Sequence, residues 1–304
     1  MQPTTSPGTA TTAADPIAIA TAAVKGINHI ATLPEITVSI IELVEDPKST
    51  AQDLNKVISN DPALCSRILK VVNSAFYGLP RQIGSINRAI SLLGLNAVKN
   101  LAIAASLAKL FRGGALCSRF DAKDLWAHSL AVAVASKMIA QHLRLNFADE
   151  AFLAGLIHDI GVVVELQADR EKLITVVNKL EMDKDGNPTG DFIAHERAVF
   201  GADHGVFGEV LCETWKFPKS FAFVCGHHHN PTAVPHEHRT LPWIVHIADR
   251  LAASVRSGFR LDLRSFEVSD EALAAVGMTR DGLETVRAAL PGAMQEAEAT
   301  FAMA

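Results

Sequence analysis

Cysteine is sparse in this sequence and never paired. Cys65, Cys117, Cys212 and Cys225 stand singly in 304 residues with no C-x-x-C spacing. That excludes a disulfide framework and reads as reduced, mostly buried thiols of a cytosolic protein. Basic runs are also missing. The net charge is -5 and the pI about 6.2, so clustered phosphate contacts, and nucleic acid as the main partner, are not expected. Long apolar runs are broken: Lys99 and Lys109 interrupt 97–111 and Lys137 interrupts 129–140, both short of a membrane span. No positively charged segment followed by an apolar one opens the chain, so neither a secretory signal nor a membrane partner is expected, and the expected location is cytoplasmic. Strand signals are nearly absent, because β-branched residues rarely alternate with polar ones. There is a single Tyr, against 12 His.

What remains is helical. Hydrophobic residues make up 49% and charged residues 20%, enough for a sizeable core and too apolar for wholesale disorder. Residues 1–15, rich in Thr, Ala and Pro, read as a disordered leader. In 51–73, Leu54, Val57, Ile58, Leu64, Ile68, Leu69 and Val72 recur at helical steps, with a break at Asp61-Pro62. Further helices run from Ser85 to a Gly94 terminator and from Asn96 towards Phe111. Gly113-Gly114 marks the expected boundary between two helical lobes, 16–115 and 116–256. The second lobe carries predicted helices at 123–143, 148–165, 170–181, 192–214, 217–229 and 240–256. The tail, 257–304, reads from 268 on as two or three short helices, with Thr279 as a cap and Pro291-Gly292 as a break. The expected fold class is all-α.

Most of the histidines lie between 128 and 246, and this cluster carries the chemistry. His158-Asp159 sits in AFLAGLIHDIGVVVEL, an apolar stretch in which an ionised Asp is costly unless paired or bound to a cation. Adjacent helical positions point about 100° apart and can reach one ion from two sides of a turn. The plain alternative is a buried His–Asp hydrogen bond. His128 in DLWAHSLAVAVAS and Asp249 in IVHIADRLAAS are further polar groups inside apolar helices. Two His and two Asp from separate helices suit five- or six-coordinate binding of a divalent metal, with positions left for water and phosphate oxygen. His204 in GADHGVFGEVL and the run His227-His228-His229 before Asn230-Pro231 are candidates for a second metal or for phosphate contacts. His246, one turn before Asp249, either orients a ligand or is simply packed. Asp124 either orients His128 or favours its helix N-terminus.

The order His, His-Asp, His, His pair, Asp resembles the HD superfamily of metal-dependent phosphohydrolases. LPEI (33–36), LNKVISNDPALCSRILKVVNSAFYG (54–78), IGSINRAISLLGLNAVKNL (83–101), FGADHGVFGEVLCETWKFP (200–218), GHHHNP (226–231) and HIADRL (246–251) are similar to the HDOD domain, the HD-related output domain of bacterial signalling proteins. The resemblance implies an all-helical, two-lobed fold whose second lobe is an HD-like bundle. It implies a metal core of His128, His158, Asp159 and Asp249, with His204, His228 and His229 beside it. His227 stays an alternative member of the pair. The implied cofactor is a divalent metal: Fe, Mn, Zn, Ni or Mg. In HD-GYP phosphodiesterases, by contrast, a Lys follows the Ile-Gly of the dipeptide motif, where this chain has Val162. The Gly-Tyr-Pro signature is missing as well. These departures weigh against hydrolysis of cyclic di-GMP and leave the core ligands in place. Two functions follow as expectations: a regulatory module that binds a signalling protein, and a phosphohydrolase acting on a nucleotide or other phosphate ester.

Overall fold

The computed structural model of the chain describes residues 15–27, 35–46, 48–74, 77–111, 115–255 and 258–301. The expected leader through residue 14, Leu33-Pro34 of the first motif, Ala75-Phe76 and the Gly113-Gly114 break lie outside the described residues. Asp15, counted with the leader from sequence, instead caps the first helix, its carboxylate accepting from the Ile17 N–H at 3.1 Å.

The fold is all-helical. Helix α1 (Pro16–Gly26) is followed by α2 (Glu35–Glu45), α3 (Ala51–Ser59), α4 (Pro62–Val72), α5 (Ile86–Leu93) and α6 (Leu95–Leu107). Asp61 caps α4 through the Leu64 N–H, with Pro62 at the first helical position where no donor is lost. Almost every residue of α6 is buried; α2, α4 and α5 surround it, and it also packs against the next group of helices. Among the described residues the strands amount to β1 (Ala115–Cys117) and β2 (Phe120–Asp121), a short antiparallel pair.

The second group comprises α7 (Ala122–His142), α8 (Ala148–Ile157), α9 (Ile160–Ala168), α10 (Arg170–Lys179), α11 (Phe192–Phe200), α12 (His204–Thr214), α13 (Lys219–His227) and α14 (Thr240–Ser254). Two helices expected as continuous are each divided. The first breaks at His158-Asp159, where Asp159 leaves the helical region with φ -98° and ψ 19°. The second ends at Gly201 and restarts where the Asp203 carboxylate accepts from the Val206 N–H. Apolar periodicity continued through both breaks, so hydropathy alone could not reveal them. The segment Ala148–Ala168 is long and apolar enough to cross a membrane by length and composition, and 83% of it is buried inside the protein.

The tail holds α15 (Asp270–Val276) and α16 (Arg280–Phe301). Thr279 caps α16 as expected, its hydroxyl accepting from the Gly282 N–H at 3.0 Å. Pro291 does not break the helix, which runs through it and buries Leu290, Ala297 and Phe301. Helix α16 lies along α7, with the Phe301 ring stacked on Phe152 at 5.9 Å and edge-on to Trp126 at 6.3 Å. That apolar contact favours the continued helix across a residue that disfavours it. Helix α1 packs on α9 and α12, and one continuous apolar core joins all these elements.

Candidate metal centre

The packing of α7, α8, α9, α12, α13 and α14 brings the polar residues of the second group to one point. His128 comes from α7, His158 from the end of α8 and Asp159 from the turn into α9. His204 opens α12, His228 and His229 follow α13, and Asp249 lies on α14. His128, His158, Asp159 and Asp249 are fully buried; His204 and His228 are 1% exposed. Because His158 and Asp159 occupy a turn between helices, and not one continuous helix, their side chains converge more closely than helical phase allows.

Each imidazole with a backbone or carboxylate partner turns the same edge inward. His158 donates from Nδ1 to the Gly155 carbonyl at 2.8 Å, and His228 from Nδ1 to the Val224 and Cys225 carbonyls at 3.1 and 3.2 Å. His204 Nδ1 donates to Glu196 at 2.8 Å. With Nδ1 taken as donor, Nε2 is the atom each ring has left for Asp159 or a cation, and all three Nε2 atoms face Asp159. The carboxylate divides its oxygens between two groups. Oδ2 lies 3.2 Å from His158 Nε2 and 3.9 Å from His128 Nε2; Oδ1 lies 3.4 Å from His228 Nε2 and 3.8 Å from His204 Nε2. His128 Nε2 is also 3.1 Å from Asp249 Oδ1. His229 Nε2 sits 3.0 Å from His204 Nε2 and 3.2 Å from Asp262 Oδ2.

A metal fits this arrangement on the structure's own terms. Nε2 of His128, His158 and His228, and both carboxylate oxygens of Asp159, Asp249 and Asp262, are buried without a hydrogen-bond partner. Each such atom costs about 1–3 kcal/mol when left unsatisfied, and buried polar atoms are paired in the great majority of proteins. Cations held by these atoms would give the imidazole nitrogens and the Asp159 carboxylate the partners they lack, while Asp249 meets the cluster through His128 and falls outside both close sets. Two sets bring their ligand atoms within 4.8 Å of one another: His128, His158 and Asp159, and Asp159, His204, His228, His229 and Asp262. Asp159 belongs to both. The donors are imidazole and carboxylate; the nearby thiols of Cys212 and Cys225 face each other at 3.5 Å instead.

The ionisation of the cluster follows from burial set against neighbours. Burial would lower His158, but the adjacent Asp159 carboxylate outweighs it and brings the imidazole to about 9. Burial likewise opposes ionisation of Asp159, yet His158 and His228 hold it well below the usual carboxylate range. Burial, and then the Asp159 charge, pushes Asp262 up. His229 is held well below the ordinary imidazole range by burial and by His228 and His204.

Three residues here escaped the sequence reading. Asp262 arrives on the strand of chain after α14, between the buried Leu261 and Leu263. That segment is laid down by Gly258, whose φ of +65° and close approach to the Asp124 carbonyl leave no room for a Cβ, and by the Phe259 N–H donating to the same carbonyl. Glu196 orients His204, and Glu165 lies beside Glu196, its carboxyl raised well above the usual range by burial and the neighbouring charge. Glu165 in GVVVELQ was legible as an acid in an apolar run; Glu196, in the polar string HER, gave no such signal. Of the open alternatives, His228 and His229 form the pair. His246 donates from Nδ1 to the His228 carbonyl at 2.6 Å, and so holds the backbone of a cluster residue. Asp124 lies in the first turn of α7, the dipole position, and meets the rest of the site through its backbone.

A helical bundle that gathers imidazoles and carboxylates from separate helices around one shared Asp defines the class: a protein with an HD-like buried site. The chain belongs to the HDOD domain family, whose profile matches residues 30–231. An uncharacterised protein of Treponema pallidum is 26% identical over 220 residues, 71% of this chain; the chain spans 40% of that relative's length. An HDOD domain protein of unknown function from Geobacter sulfurreducens has a similar structure, with TM-score 0.75 and 22% identity over 94% of this chain and 98% of its own. A Shewanella amazonensis protein provisionally named a phosphohydrolase superposes with TM-score 0.71 and 22% identity, covering 92% and 98%.

Proposed function

We propose that this chain is a regulatory HDOD protein of a bacterial signalling system, acting through binding, with a divalent-metal centre retained in its HD-like lobe. The observation that carries the reading is the closure of the site: among the cluster's imidazoles and carboxylates only His229 reaches solvent appreciably, at 19%. Structural metal sites are closed, whereas catalytic ones keep an open position. The ligands are His128, His158, Asp159 and Asp249, joined by His204, His228, His229 and Asp262 around a second ion, with Asp159 between the two. Imidazole donors favour Fe, Zn or Ni, while the carboxylates among them also suit Mn or Mg. Bound ions would neutralise the buried carboxylates and lock α7, α9, α12 and α14 together. In the same reading the lobe at 16–115 presents the surface for a signalling partner, the lobe at 116–256 supplies all the ligands but Asp262, 257–304 adds Asp262 and closes the structure, and the protein is cytoplasmic.

The second reading is a phosphohydrolase, and the split of Asp159 between two donor sets favours it, since paired ions clamp phosphate esters and activate water. Glu196 would then fix His204, and His229 would stand at the entrance. The discriminating experiment is metal analysis by mass spectrometry on untagged protein prepared without chelator, beside His158→Ala and Asp159→Ala variants and a turnover screen with phosphate esters and nucleotides. The regulatory reading expects near-stoichiometric metal in the wild type, its loss in both variants, and no turnover. Turnover that disappears with the metal would replace it by the phosphohydrolase. Protein that stays empty after incubation with each metal would overturn both.

A further inference from the structure

Behind the metal cluster, α14 and the C-terminal segments enclose a cleft of about 940 Å3, lined among others by His246, Arg250, Phe266, Arg280 and Arg287. This is at the upper end of the roughly 300–1,000 Å3 typical of small-molecule sites. Two of its arginines already have carboxylates. Arg280 bonds Asp270 and the Val268 carbonyl, and Arg287 pairs with Glu284 at 3.2 Å while reaching the Ser254 hydroxyl. Arg250 has none. Its Nη1 lies 3.1 Å from His246 Nδ1, but that nitrogen is 2.6 Å from the His228 carbonyl oxygen. Two acceptors do not approach so closely, so Nδ1 carries the proton and donates it to His228. The same nitrogen therefore cannot accept from Arg250. What is left to the guanidinium is a long contact of 3.4 Å to the His246 carbonyl.

Within this cleft Arg280 and Arg287 are each matched by a carboxylate, and the half-buried Arg250 guanidinium is the charge left to pair with an anion. It presents a planar fork of donors to a cleft that also offers an aromatic ring, Phe266, and a second arginine, Arg287. Glu267 and Asp270 share the lining, and Asp270 is engaged by Arg280. We propose that the cleft between α14 and the C-terminal helices is a binding site for a small phosphorylated molecule, with Arg250 as the anchor for the phosphoryl group and Arg287 as the second contact. The site is separate from the metal cluster and one hydrogen bond away from it through His246 and His228. It also gives the C-terminal segment a role beyond covering α7: eight of the ten lining residues fall within 265–287.

The test is isothermal titration of the full chain with inorganic pyrophosphate, adenosine diphosphate and, as the unphosphorylated control, adenosine. Wild type, Arg250→Gln and Arg287→Gln are compared, each with and without prior chelation, and metal content is measured on the same samples. The expected result is binding of the phosphorylated probes but not of adenosine, retained after chelation. Affinity should fall at least tenfold in Arg250→Gln and less in Arg287→Gln, with metal content unchanged in both. Pyrophosphate binding as tight as the diphosphate would assign recognition to the phosphoryl group alone, and tighter diphosphate binding would assign a further part to the ring at Phe266. No binding by wild type at millimolar probe, equal binding by Arg250→Gln, or binding that vanishes on chelation would overturn the proposal. Only the last of these leaves the metal reading standing with phosphate bound at the ions.

Discussion

Lys137 is buried in α7, and its ammonium meets the Asp149 carboxylate at 2.9 Å while lying 3.9 Å above the Tyr77 ring. Tyr77 donates its hydroxyl to the same carboxylate at 3.1 Å, so one Asp ties the turn after α4 to α7 and α8. Burial lowers Lys137 below its ordinary 10.5, and Asp149 pulls it partly back. Asp149→Asn should therefore cost about 3 kcal/mol in urea unfolding at neutral pH, the usual penalty for stranding one member of a buried pair. The sign of its pH dependence follows. A buried Lys with a lowered pKa binds fewer protons folded than unfolded between its folded value and 10.5, so stability rises with pH there. Without Asp149 the folded value of Lys137 falls further, so the cost of Asp149→Asn should shrink as pH climbs from the variant's folded value to the wild type's and level off above it; a cost that stays constant over that whole range would show that Lys137 is not the group left stranded. At the same scale, Glu196→Gln should weaken metal affinity by about 10–100-fold in chelator competition with little change in fold, because it removes the charge that orients His204. Unchanged affinity would mean that His204 is no ligand.

At the scale of elements, the Gly of the His-Asp-Ile-Gly run has a mechanical reason. A Cβ on Gly161 would stand 1.8 Å from the His204 carbonyl oxygen and 2.9 Å from the Gly208 nitrogen, both backbone atoms of α12. The contact sets the spacing of α9 and α12 and thereby the position of His204. Gly161→Ala should destabilise by several kcal/mol and lower metal content, since neither helix backbone can yield cheaply. Gly226→Ala is the control. Its Cβ meets mainly the flexible end of Glu209, and it should stay within about 0.5 kcal/mol of wild type in the same thermal and metal assays. Equal losses in both would refute the close-packing argument. The helices themselves were largely legible, because Asp61-Pro62, Ser85, Gly94 and Thr279 are local signals that act on their own turn. The divisions at His158-Asp159 and Gly201–Asp203 were not, because apolar residues run on across both and only packing between α8, α9 and α12 requires the chain to bend.

For the whole molecule, the proposed metal centre would make stability depend on the cation, because it alone would give the unpaired carboxylates and imidazoles partners. An ion present at about a hundred times its dissociation constant adds roughly 2.7 kcal/mol per site. Removing it with a chelator should therefore lower Tm by at least about 5 °C in a chain of this size. His158→Ala and Asp159→Ala should melt at the same temperature with and without chelator. A wild-type Tm that ignores chelation would show that the cluster is held by its own hydrogen bonds.

The sequence by itself determined the fold class, most helix starts and stops, and the identity of seven residues at the centre. These are local or periodic properties: a cap acts within its own turn, a stripe repeats every three or four residues, and a polar residue in an apolar run is conspicuous without reference to any neighbour. It could not supply Asp262 or Glu196, which are unremarkable where they stand and meet the cluster only because Gly258 and the α11–α12 turn bring them there. Nor could it show that Arg250 has no carboxylate beside it among the described residues and that His246 Nδ1 is not its acceptor, since that nitrogen donates its proton to a carbonyl eighteen residues away. Contacts between distant segments are set by which helices pack together, and side-chain chemistry read one residue at a time carries no record of that packing.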